Sequence, residues 1–180
     1  MAEMKFIILN GCSCSGKSTV VNRIIAEQDD FYKLSYDTQK WPFSRYDRNK
    51  HFVDVKTIVH SLAETVCAMQ KYNVICDSAL YKDDREELLA IAKKHGYETI
   101  EVNLETDYAV LEKRFDERVA LVLAGKSKAT NTSKERFREL YELYQAGKNP
   151  LATTLETNLL DADETYEKVI ELTAPRKGDR

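Results

Sequence analysis

Residues 11–18 read Gly-Cys-Ser-Cys-Ser-Gly-Lys-Ser, a complete G-x-x-x-x-G-K-[ST] pattern. No other stretch constrains the fold as much, because this loop works only where an apolar strand enters it and a helix leaves it. Both signals are present. Lys5 to Asn10 (KFIILN) reads as a buried strand, and Val21, Ile24, Ile25 and Gln28 line one side of a helix from about Lys17 to Gln28. In that setting the backbone N–H groups point inward at an anion and the helix N-terminus adds its dipole. Gly11, Cys12, Ser13, Cys14, Ser15, Gly16, Lys17, Ser18 and Thr19 are therefore the expected nucleotide contacts. Lys17 would reach the β- and γ-phosphates of a bound triphosphate, expected to be ATP, and the Ser18 hydroxyl would ligate Mg2+. Cys12 and Cys14 fill variable positions; a redox-sensitive pair is the alternative to plain filling.

The remaining chain alternates strands with helices. Strands are expected at Phe31–Ser35, Asn73–Asp77, Thr99–Leu104 and Ala152–Glu156. Helices are expected at Asp54–Lys71, where Val55, Val59, Leu62, Val66 and Met69 form one stripe, and at Asp83–His95 and Asp107–Ala124. Thr132-Ser-Lys-Glu135 reads as a capping box opening a further helix with Phe137, Leu140, Tyr141 and Tyr144 on its apolar face, stopped by Gly147 and Pro150. Asp161-Ala-Asp-Glu164 caps a last helix through Leu172. Asp37 to Lys50 reads as irregular. The alternation predicts an α/β fold, a three-layer α/β/α P-loop arrangement with a five-stranded parallel sheet and a small helical lid. One domain is expected over residues 1–174, with the lid at about 114–132 and a frayed tail at 175–180.

Composition narrows the function classes. The chain has 180 residues, 43% hydrophobic and 32% charged, which suits one soluble domain. Its net charge of −3 disfavours extended nucleic-acid binding, which needs a basic excess. No leader or bilayer span is expected. The four cysteines do not form a disulfide framework and the three histidines are too scattered for a zinc site, so a reducing cytoplasm fits best.

The chain lacks the N-K-x-D and D-x-x-G patterns of GTPases and any L-S-G-G-Q transporter signature. A short chain with this loop and without those parts suggests a small kinase. Such an enzyme needs a base, an acceptor pocket and a lid bearing arginines, because phosphoryl transfer rests on positioning and charge neutralisation. Asp37, after the second strand, could take a proton from an acceptor hydroxyl; a turn aspartate is the alternative. Asp77 ends an apolar run, as a magnesium-supporting acid or a helix cap would. Arg114 and Arg118 share a helix face just before a polar connector, either as triphosphate ligands or as a solvated face paired with Asp116 and Glu117. Residues 36–52 interleave Tyr36, Trp41, Phe43, Tyr46 and Phe52 with Lys40, Arg45, Arg48, Lys50 and His51. Rings among bases could stack a nucleobase while holding phosphate, or close the core beneath an irregular loop.

Several stretches together resemble the polynucleotide-kinase-like P-loop phosphotransferases, a group that includes zeta-toxin-like and chloramphenicol-phosphotransferase-like kinases. FIILNGCSCSGKST resembles their phosphate loop and LSYDTQK their strand with a catalytic aspartate. VICDSALYKDDREELLAIAKKHGY, LEKRFDERV and TSKERFRELYELY are similar to their strand–Asp–turn–helix segment, lid helix and following helix. The resemblance implies Lys17 and Ser18 as phosphate and magnesium residues, Asp37 as general base, and Arg114 and Arg118 as lid residues. It departs at Lys40, where polynucleotide kinases tend to carry an arginine; lysine lacks the guanidinium fork. The expectation is therefore a kinase for a hydroxyl on a small molecule, such as a nucleoside or sugar, with Lys40, Trp41, Arg45 and Asp77 at the substrate. A 5′-hydroxyl polynucleotide kinase and a nucleotide-binding switch or toxin-like module are the alternatives.

Overall fold

The computed structural model describes residues 4–77, 82–127 and 131–173. Its elements are β1 (Lys5–Gly11), α1 (Lys17–Glu27), β2 (Phe31–Leu34), a 3-10 turn (Thr38–Lys40), α2 (Arg48–Met69), β3 (Asn73–Cys76), α3 (Lys82–Lys94), β4 (Glu98–Glu105), α4 (Tyr108–Leu123), α5 (Lys134–Gly147), β5 (Thr153–Glu156) and α6 (Ala162–Thr173). The five strands form one parallel sheet in the order β2-β3-β1-β4-β5. Parallel strands need crossovers, and the intervening helices supply them while covering the sheet. The order reverses at β1, so the loop leaving that strand opens where sheets of this class bind ligands.

Alternate residues of β1 enter different cores. Phe6 and Ile8 join Val55, Val59 and Leu88 beneath α2 and α3. Ile7 and Leu9 join Val21, Ile24, Tyr166 and Val169 beneath α1 and α6. A strand buried on both faces reads as the unbroken apolar run seen in the sequence. A third cluster, Cys12, Leu111, Phe115, Phe137 and Tyr144, packs α4 and α5 onto the loop after β1. Phe115 stacks on Phe137 with ring centroids 4.5 Å apart.

Four local expectations shift. The second helix begins at Arg48 rather than Asp54, because the Asp47 carboxylate accepts from Asn49 N at 2.8 Å and caps it there. The irregular segment is shorter as a result, and Phe52 is helical, with the Arg48 guanidinium 4.7 Å from its ring centroid. The cap of α5 is Ser133, not Thr132: Asn131 Oδ1 accepts from Ser133 N, and Ser133 Oγ accepts from Arg136 N. Asp161, by contrast, caps α6 as expected, with Glu164 Oε2 reciprocating to Asp161 N at 2.9 Å. On α1 the inner face takes Val20 instead of Ile25, which is 40% exposed, and Met69, at the last position of α2, is exposed. The expected tail at 175–180 lies outside the described residues, as does part of the connector, residues 128–130.

Candidate active site

The loop after β1 is shaped by its small residues. A Cβ on Gly11 would meet Ser15 Oγ at 2.4 Å and Leu104 O at 3.0 Å. Cys14 and Gly16 both have positive φ, 69° and 97°, which turns the chain back over itself before α1. Ser15 N donates to Cys12 O, and Thr19 N and Val20 N to Gly16 O. No side chain caps α1 and its first turn carries no acid, so its positive end is left to an external anion. Lys17 Nζ donates to Gly11 O at 2.7 Å and Cys12 O at 2.8 Å. Burial lowers the pKa of this amine, while Cys12, Asp77, Asp37 and Cys14 pull it back up. Ser15 Oγ is buried with no partner.

Two arginines from α4 close over the same loop. Arg114 lies within 3.4 Å of Cys14 O and 3.5 Å of Thr157 O. Arg118 donates to Ser13 Oγ at 3.2 Å, and its Nε is buried without a partner. Both side chains are half-buried, and neighbouring Asp116 pairs with Lys134 rather than with them. The geometry is thus that of guanidiniums on a phosphate loop, not of a solvated charge face.

Asp77 is 5% exposed. One carboxylate oxygen lies 3.5 Å from Lys33 Nζ and the other has no partner. Asp37 is exposed at the head of the 3-10 turn and ion-pairs with Lys40. Phe43, Tyr46 and His51 form a ring cluster against the α2–α3 core, so these rings close the core. Trp41 differs: it is 56% exposed, and Arg45, four residues on, is also exposed and has φ 53°.

One part of the site was missed in the sequence. A cavity of about 250 Å³ is bounded by Gly16 of the loop, Thr19 of α1, Arg114 of α4, Thr157 and Leu160 from the β5–α6 connection, and Thr165 of α6. Thr157 is anchored there by hydrogen bonds to Glu105 O from both its N, at 2.7 Å, and its hydroxyl, at 3.0 Å. The rule that ligands sit beyond the carboxyl ends of parallel strands applies to β5 as well as β1, and would have pointed to this connection. A larger groove of about 770 Å³ runs between α2 and α3 and includes no loop residue. Among the described residues, no helix is long and apolar enough to cross a membrane.

No curated protein matches this chain. Several solved structures share its fold. A candidate kinase from Chloroflexus aurantiacus J-10-fl is 17% identical, with a TM-score of 0.68 over 94% of this chain and 98% of its own. The Mycobacterium tuberculosis APS kinase CysC, solved with AMPPNP and APS, is 19% identical, with a TM-score of 0.62 over 96% and 99%. A chain of the Pnkp1/Rnl/Hen1 RNA repair complex is 14% identical, with a TM-score of 0.64 over 82% of this chain and 46% of its own. The fold is that of P-loop kinases. A family model described as an AAA domain matches residues 6–143, and the chain belongs to that family.

Proposed function

We propose that this chain is an ATP-dependent kinase that transfers a γ-phosphate to a hydroxyl of a small molecule, of nucleoside or sugar class. The observation that carries this reading is the pair Arg114 and Arg118 closing over Cys14 and Ser13 while Lys17 rests on the loop from within. Three cations on one loop answer the charge of a transferring phosphate, whose oxygens share the developing negative charge. The fold neighbours support it: one holds AMPPNP and APS together. The domain would span residues 1–174, with residues of about 114–132 as its lid.

In this reading the loop from Gly11 to Thr19 binds the phosphates, and the cavity beside Thr157 takes the nucleoside end. Asp37 receives the proton of the acceptor hydroxyl as its oxygen bonds to the γ-phosphorus and the bond to ADP breaks. Lys40, Trp41 and Arg45 hold the acceptor, and the exposed Trp41 ring favours one with a flat ring. Ser18 and Asp77 would hold Mg2+, and the orphaned, buried Asp77 oxygen fits a cation. The ion supplies charge neutralisation on the phosphate oxygens when bound. The net charge of −3 favours a small acceptor over a polymer, and four cysteines in thiol form suit a reducing compartment.

The test pairs two measurements on wild type and Asp37→Asn: the ATP dissociation constant, and phosphate transfer across a set of nucleosides and sugars. Asparagine keeps the size and removes the base, so ATP affinity should hold while transfer falls by roughly a hundredfold or more. Joint loss of both would put Asp37 in the nucleotide site or the fold, and equal transfer would make it a turn residue.

A further inference from the structure

Tyr36 immediately precedes Asp37 and, unlike it, is buried at 7% exposure in the core shared with α2 and α3. Its hydroxyl lies 3.0 Å from His60 Nε2 on α2, and the two rings meet edge-on with centroids 6.5 Å apart. His60 Nδ1 lies 3.0 Å from Glu87 Oε2 on α3. The three side chains make a continuous line from α3 through α2 to the segment that carries Asp37. Lys56 completes the frame, 2.7 Å from Asp84 and 3.0 Å from Glu87. The groove between α2 and α3 opens onto His60, Lys56 and Glu87, so the line is reached from solvent at its middle.

We infer that His60 is a positioning residue: held by Glu87, it fixes the Tyr36 hydroxyl and through it the Asp37–Trp41 segment at the carboxyl edge of the sheet. The catalytic consequence rests on reading Asp37 as the base; the mechanical coupling does not. A buried tyrosine hydroxyl requires a partner, and a neutral imidazole that donates through Nδ1 to Glu87 can accept through Nε2 only from Tyr36. Protonation puts a second N–H on that ring, which the Tyr36 oxygen must then accept. Its own proton loses its acceptor inside the core, and the segment loosens.

The charged groups that act on His60 come from α2 and α3. On α2 this is Lys56, while Glu64, one turn further along, is engaged by Lys94 and His95. On α3 they are Asp84 and Glu87. Burial lowers the pKa of His60, with Glu87 opposing, so the neutral, fastening form holds at neutral pH. The unfolded chain binds the proton at higher pH than the folded one, so this group destabilises the fold as pH falls through that window.

Trp41 is the chain's single tryptophan and follows the 3-10 turn directly, which makes it a native reporter on the segment. The experiment follows its emission and acrylamide quenching from pH 8 to 5 in the full chain, with melting curves as the fold check. Wild type should show one transition below about pH 6.5, the ordinary histidine value. Tyr36→Phe, His60→Leu and His60→Gln should lack it, and His60→Gln, whose amide can still accept, should match wild type at pH 7.5. Asp37→Asn and His51→Gln should retain it, since neither belongs to the line. No transition in wild type, a transition that survives Tyr36→Phe, or one abolished by Asp37→Asn or His51→Gln would overturn the inference. If Asp37 proves not to be a base, transfer in Asp37→Asn is unchanged and the Trp41 result is untouched, so the two failures are told apart.

Discussion

Arg118 Nη1 donates to the Ser13 hydroxyl at 3.2 Å, joining α4 to the phosphate loop across 105 positions of sequence. Its guanidinium also lies 5.3 Å from the Phe115 ring centroid, so the aromatic stack of the third cluster aims it. Donors remain free for a phosphate, since Arg118 Nε has no partner. Arg118→Ala should lower turnover by roughly a thousandfold, the scale of an arginine on transferring phosphate, with melting temperature shifted little. Near-normal turnover in that variant would reduce Arg118 to packing.

Lys17 tests the nucleotide site alone. Its amine is held by two loop carbonyls and pulled down in pKa by burial, so it sits in the cradle before any phosphate arrives. ATP with magnesium should raise the wild-type melting temperature by mass action, by about 2.7 kcal/mol of stabilisation at a hundredfold excess over the dissociation constant. Lys17→Ala should lose most of that shift. An unchanged shift would remove Lys17 from the phosphate site.

Gly11 tests the shape of the loop. An added methyl would sit 2.4 Å from Ser15 Oγ and 3.0 Å from a β4 carbonyl, and the backbone carbonyl cannot step aside. Gly11→Ala should therefore cost about 1–3 kcal/mol, as overpacking does, and weaken ATP binding together with stability. Chemical denaturation and ATP titration on the same variant check both. A variant as stable as wild type would mean the loop can move away from β4.

The two loop cysteines should react differently. Burial pushes the Cys12 thiol up to about 11, although Lys17 lowers it in part, so almost no thiolate is present at pH 8. Cys12 also packs in the third cluster, whereas Cys14 is half-buried and borders the cavity beside Thr157. Iodoacetamide at pH 8, followed by peptide mass mapping, should label Cys14 well before Cys12, and ATP should slow the labelling of Cys14. Equal rates would contradict the burial of Cys12.

Local chemistry made much of this protein legible from its sequence. Lys5 to Asn10 reads as a strand because both of its faces are buried, and Gly11 to Ser18 reads as a phosphate loop because its spacing and its neighbours agree. Asp161 and Glu164 announce α6 because a capping box is completed within four residues. The cap at Asp47 was missed since aspartate serves turns and caps alike, and only the backbone that follows decides between them. What tertiary structure alone decided are the meetings of distant residues. Strand order brings β1 between β3 and β4, packing of Phe115 on Phe137 turns Arg118 toward Ser13, and the β5–α6 connection carries Thr157 to the loop. Such contacts depend on how whole faces bury against one another, a sum over many side chains that no short window of sequence contains.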